Sequence, residues 1–304
     1  QICQVSVAVG AIMAINTVPE EAVFRFGNEE QKRAFLVPLA QGKLLGCILF
    51  TEADTGSDPE AITTFAGRSS NGYVINGQKH FVALAPAANL ALVFTKYEGK
   101  GLNAFIIDTS SPGFVVQEPY ETMGLRGLGA STVYLEDVSV PQENLLGEEG
   151  QGFDILLEVM SVARLGVVIE AVATAQAALE LSIDYAYERK AQSKPIAKLG
   201  SIQYHLAEMA TRTEAARWLA YRVVFLRDQG LDIKYESSMA KLFASQAAVE
   251  VTRMAMQVHG SYGTMKSMAV ERLYRDAKMT EIYVGVSEIQ RNIISKYLER
   301  LRGR

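Results

Sequence analysis

Hydrophobic and polar positions divide the chain into stretches of different period. From Val5 to Ile15 an almost unbroken apolar run covers eleven positions. It is too short to span a bilayer and has no basic flank, so it predicts a buried helix rather than a signal or anchor. Asn28 to Leu39, NEEQKRAFLVPL, predicts a short amphipathic helix with Glu29, Glu30 and Lys32 on a solvated face. The period then changes. Tyr73–Ile75, Leu90–Thr95, Ala104–Asp108, Phe114–Gln117 and Thr132–Leu135 are short apolar or β-branched runs separated by NG, EGKG and SSPG turn clusters. That is the pattern of an antiparallel barrel or sandwich.

From Phe153 onward the helical period returns. Ile202, Leu206, Met209, Ala216, Leu219, Val223 and Leu226 recur at helical spacing, as do Met239, Leu242, Phe243, Ala247, Val251 and Met254. Gly230 and the segment Gly260 to Gly263 punctuate them, so the chain ends in a four-helix-bundle-like domain. The expected class is α+β. A helical part covers residues 1–46, a middle β domain 47–148 and the helical bundle 149–304.

A chain of 304 residues can bury a large core. The composition, 49% hydrophobic with a mean hydropathy of +0.07, fits a compact fold. A net charge of −4 without a basic cluster argues against nucleic acid and anionic membrane as partners. Cys3 and Cys47 cannot build a disulfide framework, which favours a reducing, cytoplasmic setting. His80, His205 and His259 lie far apart with no HExxH or CxxC, so no metal site is expected.

The chemistry concentrates between Arg272 and Arg291, RLYRDAKMTEIYVGVSEIQR. Arg272, Arg275, Asp276 and Lys278 suit the polar face and last turn of a helix, and Gly285 and Ser287 interrupt the pattern before Glu288 opens another. A turn between helices can aim a side chain at a ligand, which makes the apolar pair Val284 and Val286 conspicuous.

RDAK followed by IYxGxSEIQR resembles the C-terminal signature of the acyl-CoA dehydrogenases, flavoenzymes that remove hydrogens from the α and β carbons of an acyl thioester. The resemblance covers nearly the whole chain except most of the family's N-terminal helical domain. It implies FAD as cofactor, an acyl-CoA or acyl-carrier-protein substrate and an electron-transfer flavoprotein or similar acceptor. It also implies a homodimer or homotetramer, or a hetero-oligomer with a homologue. Where the family carries its catalytic glutamate this chain has Val284, and the alternative family position, before Arg164, is Ala163. The family's flavin-contacting threonine is Val286.

Other segments extend the resemblance. Thr51-Glu52-Ala53-Asp54-Thr55-Gly56-Ser57-Asp58 is similar to the family's TEPGAGSD loop, which implies flavin contacts at Thr51 and Ser57 and a pantetheine contact at Ser57. Without the family the same run reads as an ordinary turn. Gly77 to Ala83 matches an NGxKxWIT hairpin that implies Phe81 stacking on the flavin, while Ala83 lacks the family hydroxyl. Phe81 reads equally as barrel core. Arg189, Gln257 and Gly260 fall in elements that hold the flavin diphosphate, and Gln290 is a further cofactor contact by resemblance. Taken alone they are an exposed arginine and a helix C-cap. Arg164 and Tyr283 are implied substrate-side residues.

With both usual base positions empty, Glu170 in the apolar stretch LGVVIEAVATA becomes the candidate relocated base. Two helical turns, ~10 Å, separate it from Ala163, and burial would raise its pKa. A structural hydrogen bond or an exposed face are the plainer readings of the same residue. Three functions are therefore expected to compete: an acyl thioester oxidoreductase with a relocated base, a silent homologue serving an active partner subunit, and a flavoenzyme of altered reaction such as thioester reduction or cyclisation.

Overall fold

The computed structural model describes residues 1–97 and 101–302, and most of the EGKG turn cluster falls outside them. The chain divides into two compact units, one of Ile12–Glu121 with Arg126–Ala163, the other of Gln1–Ala11, Thr122–Leu125 and Arg164–Arg304.

The first unit is built on a sheet of β1 (Gly46–Leu49), β2 (Phe65–Ser69), β3 (Gly72–Val82), β4 (Leu90–Lys96), β5 (Leu102–Asp108), β6 (Phe114–Val116), β7 (Ser131–Pro141) and β8 (Leu145–Leu146). Its order is β6-β7-β3-β2-β4-β5-β8, with β1 on β4. Most pairings are antiparallel, as the turn clusters predict, but β1 runs parallel to β4 in the register Gly46↔Leu90 to Leu49↔Val93. This strand, GCIL, is too short to show an alternation and was not expected. Nor does Gly77 open a hairpin. The chain runs through it in β3, whose pairing with β7 shifts register between Ile75 and Gly77 and again between Lys79 and Val82, as bulges do.

Tyr73 and Ile75 from β3, Ala91 and Val93 from β4, Phe105 and Ile107 from β5 and Val133 and Leu135 from β7 fill one apolar core. The rings of Tyr73 and Phe105 meet edge to face at 4.9 Å. Strands β4 and β5 are buried on both faces, which is why they read as unbroken apolar runs rather than alternating ones.

Helix α1 (Val7–Phe26) continues well past the apolar run that predicts it. At 20 residues it is long and apolar enough to cross a membrane by length and composition alone, so the argument from shortness fails. Half of its apolar window is buried inside the fold, and Asn16 accepts the Gly46 N–H at 2.8 Å. The segment after it is less regular than its amphipathic pattern predicts. Asn28 and Gln31 form a reciprocal capping box, but Lys32–Leu36 is a π-helical turn ahead of Val37–Ala40. Pro38 lacks the N–H that would bond the Ala34 carbonyl, and the wider turn absorbs the clash.

The second unit carries the long helices: α2 (Gly152–Glu188), whose first turns lie in the sheet unit, α3 (Gly200–Asp228), α4 (Lys234–His259), α5 (Ala269–Thr280) and α6 (Ser287–Arg302). Helix α4 packs against α3, α5 and α6. It does so through small residues, with Ala240, Ala244, Ala247, Ala248 and Ala255 all buried. One expectation for α5 reverses. Asp276 is buried, not on a polar face, and its carboxylate accepts the Leu125 N–H at 2.7 Å. Arg275 donates to the Met123 carbonyl beside it, also at 2.7 Å.

Asp276→Ala strands a buried N–H, and urea denaturation is expected to show a loss of about 1–3 kcal/mol.

Candidate functional site

In the sheet unit, residues 51–58 form a tight turn closed by Glu52 N–H to the Thr55 carbonyl at 2.8 Å and by Thr55 Oγ1 to the Asp58 carbonyl at 2.6 Å. Ser57 is exposed and Thr51 half-buried, with its carbonyl accepting the His80 N–H at 2.8 Å. The turn rests on an ion pair not recognised in the sequence. Buried Lys79 reaches from β3 to the buried Glu52 carboxylate at 2.9 Å and to the Phe50 carbonyl at 3.1 Å. Thr63 N–H at 2.5 Å, its hydroxyl at 2.7 Å and Thr64 N–H at 2.9 Å complete the carboxylate's shell. Burial pushes the Glu52 pKa up, but the Lys79 charge and these donors outweigh it and hold the carboxyl at about 2. Its contribution to stability is therefore present above the unfolded value, about 4.3, and is lost as pH falls towards 2.

Phe81 is not barrel core: its ring is 63% exposed. The backbone there turns left-handed, φ +53°, where the register shift before Val82 lifts the residue out of the ladder. The ring leans on Tyr120 at 4.8 Å between centroids. Tyr120 in turn bonds Thr132 Oγ1 and lies 3.0 Å from His80 Nδ1.

In the helical unit the turn between α5 and α6 presents Tyr283 and Val284. Val284 adopts φ +56°, a conformation that costs a β-branched residue roughly 1–2 kcal/mol. Two buried side chains hold it there. Lys241 of α4 donates to the carbonyls of Glu281 at 3.2 Å and Gly285 at 2.7 Å. Gln290 Nε2 donates to the carbonyls of Gly285 at 2.8 Å and Val284 at 3.4 Å. Burial, then repulsion from Arg164, pulls the Lys241 pKa down to about 8. Gln290 Oε1, Ser287 Oγ and Arg164 Nε are buried without a partner among the described residues, and burial lowers the Arg164 pKa to about 10.

Glu170 of α2 is 2% exposed and accepts a hydrogen bond from the Tyr283 hydroxyl. The exposed-face reading of this acid is thus excluded. Burial raises its pKa to about 8. The structure therefore brings Glu170 together with Tyr283, which is next to Val284 in the same turn. No local pattern marks the pairing of Tyr283 with Glu170, because 113 residues separate them.

Arg189 is exposed, its guanidinium 5.7 Å from the centre of the Tyr262 ring. Gly260 caps α4 at φ +60° with its N–H on the Gln257 carbonyl, and a Cβ there would meet nothing within 4 Å. Gln257 is exposed. Among the described residues, no group of three His, Cys, Asp or Glu could hold a metal.

Residues 47–138 match the family profile of the acyl-CoA dehydrogenase middle domain, and residues 150–299 that of the acyl-CoA dehydrogenase C-terminal domain. The chain belongs to the acyl-CoA dehydrogenase family. It is 43% identical to an acyl-CoA dehydrogenase of Bacillus subtilis over 98% of this chain and 80% of that protein. It is 41% identical to the acryloyl-CoA reductase (NADH) of Anaerotignum propionicum over 95% of this chain and 75% of that protein. The butyryl-CoA dehydrogenase structure from Megasphaera elsdenii superposes with a TM-score of 0.93 at 34% identity, covering 97% of this chain and 78% of that one.

Two outcomes test this geometry. Lys79→Met leaves Glu52 buried and unpaired, so chemical denaturation at neutral pH is expected to show a loss of about 3–5 kcal/mol. For Glu170 the sign is opposite to Glu52: its folded pKa lies above the unfolded value, so wild-type stability falls as pH rises through about 8. Glu170→Gln is expected to melt higher than wild type at alkaline pH, with the difference vanishing near the unfolded carboxyl pKa of about 4.3.

Proposed function

We propose that the chain is a flavin-dependent oxidoreductase that moves two hydrogens between a saturated and an α,β-unsaturated acyl thioester carried by CoA or acyl carrier protein. The observation that carries this reading is the α5–α6 turn. By the resemblance, valine stands at 284 where the family has its acid, and the backbone there is held in a strained left-handed turn by Lys241 and Gln290.

Each unit by itself offers groups suited to FAD. In the sheet unit Phe81 presents an exposed aromatic side chain, and in the helical unit Arg189 presents an exposed cation, Gly260 a side-chain-free approach and Gln290 a buried oxygen without a partner among the described residues. Thr51 and Ser57 in the sheet unit and Gln257 in the helical unit are polar groups that would add contacts. Bound there, the flavin supplies the acceptor or donor of a hydride at the β carbon. Ala83 and Val286 lack the hydroxyls that the resemblance implies, and at ~1 kcal/mol for each missing hydrogen bond the cofactor is retuned rather than lost. The relatives are named for opposite directions of one reaction, dehydrogenation and acryloyl-CoA reduction, so the direction is set by the redox partner. An electron-transfer flavoprotein or a similar acceptor fits the oxidative direction. A cytoplasmic homodimer or homotetramer completes the reading.

Val284 favours a second reading, in which the chain is a silent homologue in a hetero-oligomer with an active one. The visible spectrum of the purified protein, after FAD is added and excess removed, separates the two. Flavin bands at about one per chain, bleached by an acyl thioester or restored by an enoyl thioester after reduction, are expected. Absence of retained flavin would leave the silent-partner reading.

A further inference from the structure

The inference here rests on the oxidoreductase reading and concerns the one function the turn has lost, transfer of the α proton. A valine at 284 has no proton to give or take. On the same turn, one residue earlier, stands a hydroxyl that is bonded to a buried acid.

We infer that Tyr283 and Glu170 together replace the missing carboxylate, with the Tyr283 hydroxyl touching the thioester α carbon and Glu170 holding the exchanged proton behind it. Three observations converge on this pair. Tyr283 is half-buried, and its hydroxyl donates to Glu170. Glu170 is buried inside the helical unit, and the Tyr283 hydroxyl bonds its carboxyl group. The Lys241 and Gln290 bonds that fix the left-handed turn at Val284 fix Tyr283 as well.

The step balances. In the oxidative direction the Cα–H bond breaks and its proton passes to the Tyr283 oxygen as the phenol proton passes to the Glu170 carboxylate. The Cα–H electron pair becomes the new Cα=Cβ bond, and the β hydrogen would leave with its pair as hydride, for which the FAD of the proposed function would be the acceptor. In the reductive direction each transfer runs backwards, and Glu170 starts as the neutral acid. The titratable groups facing Glu170 are Tyr283 from the turn and Cys3 from the N-terminal helical turn. Glu170 is protonated below about pH 8, so at neutral pH the pair is loaded to protonate an enoyl thioester. A conjugate acid close to ambient pH also suits proton transfer in both directions.

The test is α-proton exchange of the FAD-loaded protein with acetyl-, butyryl- and octanoyl-CoA in deuterium oxide, read by mass spectrometry. Glu170→Gln and Tyr283→Phe are each expected to slow exchange by about a hundredfold or more, with flavin absorbance and circular dichroism unchanged. Installing Val284→Glu in the Glu170→Gln protein is expected to restore exchange, which shows that the scaffold survived. Wild-type exchange should rise with pH through about 8, and the profile should flatten in Glu170→Gln. A purely structural Glu170 would leave the shape of that profile unchanged. Exchange at the wild-type rate in flavin-bound Glu170→Gln overturns the inference, as does a wild type that is inert while Val284→Glu alone exchanges. If neither wild type nor Val284→Glu exchanges with flavin bound, the oxidoreductase reading fails and takes the inference with it.

Discussion

A buried ammonium group sets the geometry of the helical unit's candidate site. Lys241 is fully buried on α4 and spends its hydrogen bonds on two carbonyls across the α5–α6 turn, those of Glu281 and Gly285. A buried cation is unstable unless its donors are satisfied, and here the carbonyl dipoles of the turn satisfy it. The dependence is mutual. The turn exposes backbone acceptors that need a donor, and the donor needs them. Between them they impose φ +56° on Val284, a conformation no β-branched residue would choose. The positions of Tyr283 and Val284 follow from that clamp rather than from their own side chains.

An analogous device supports the sheet unit. Lys79 and Glu52 meet under the 51–58 turn, where the carboxylate is saturated by threonine donors. Desolvating two charges in this way adds little net stability, but removing one partner is costly. Such a pair therefore fixes the shape of a loop more than it strengthens the fold. Glu170 shows the contrasting case. It is an acid buried with a neutral hydroxyl instead of a cation, so its proton is held rather than expelled. Two buried acids in one chain thus have pKa values pushed in opposite directions, about 2 and about 8, by the presence or absence of a cation partner. A structural role suits the first and proton exchange the second.

The sequence carried the fold wherever a local period existed. Helices α3 and α4 and strands β4 and β5 were legible because apolar residues recur at the spacing that each element demands. Strand β1 was not, because four residues paired in parallel to a distant strand leave no period to read. Asp276 looked like surface because α5 is strongly charged, and only the distant Leu125 N–H explains its burial. Phe81 stayed ambiguous because a backbone register shift, not its residue type, lifts the ring from the ladder. The candidate site was legible by position through the IYVGVSEIQR signature. Its energetics were hidden, since Lys79 with Glu52, Lys241 with the turn, and Tyr283 with Glu170 are all pairings between residues far apart in sequence.

On the proposed mechanism the proton-transfer group stands at the Tyr283–Glu170 pair rather than at position 284. A crystal structure of the FAD-loaded protein with an unreactive saturated thioester analogue tests it most directly. The analogue's α carbon is expected in contact with the Tyr283 oxygen, and that oxygen still bonded to Glu170. An α carbon facing only Val284, with Tyr283 and Glu170 outside contact range, would contradict it.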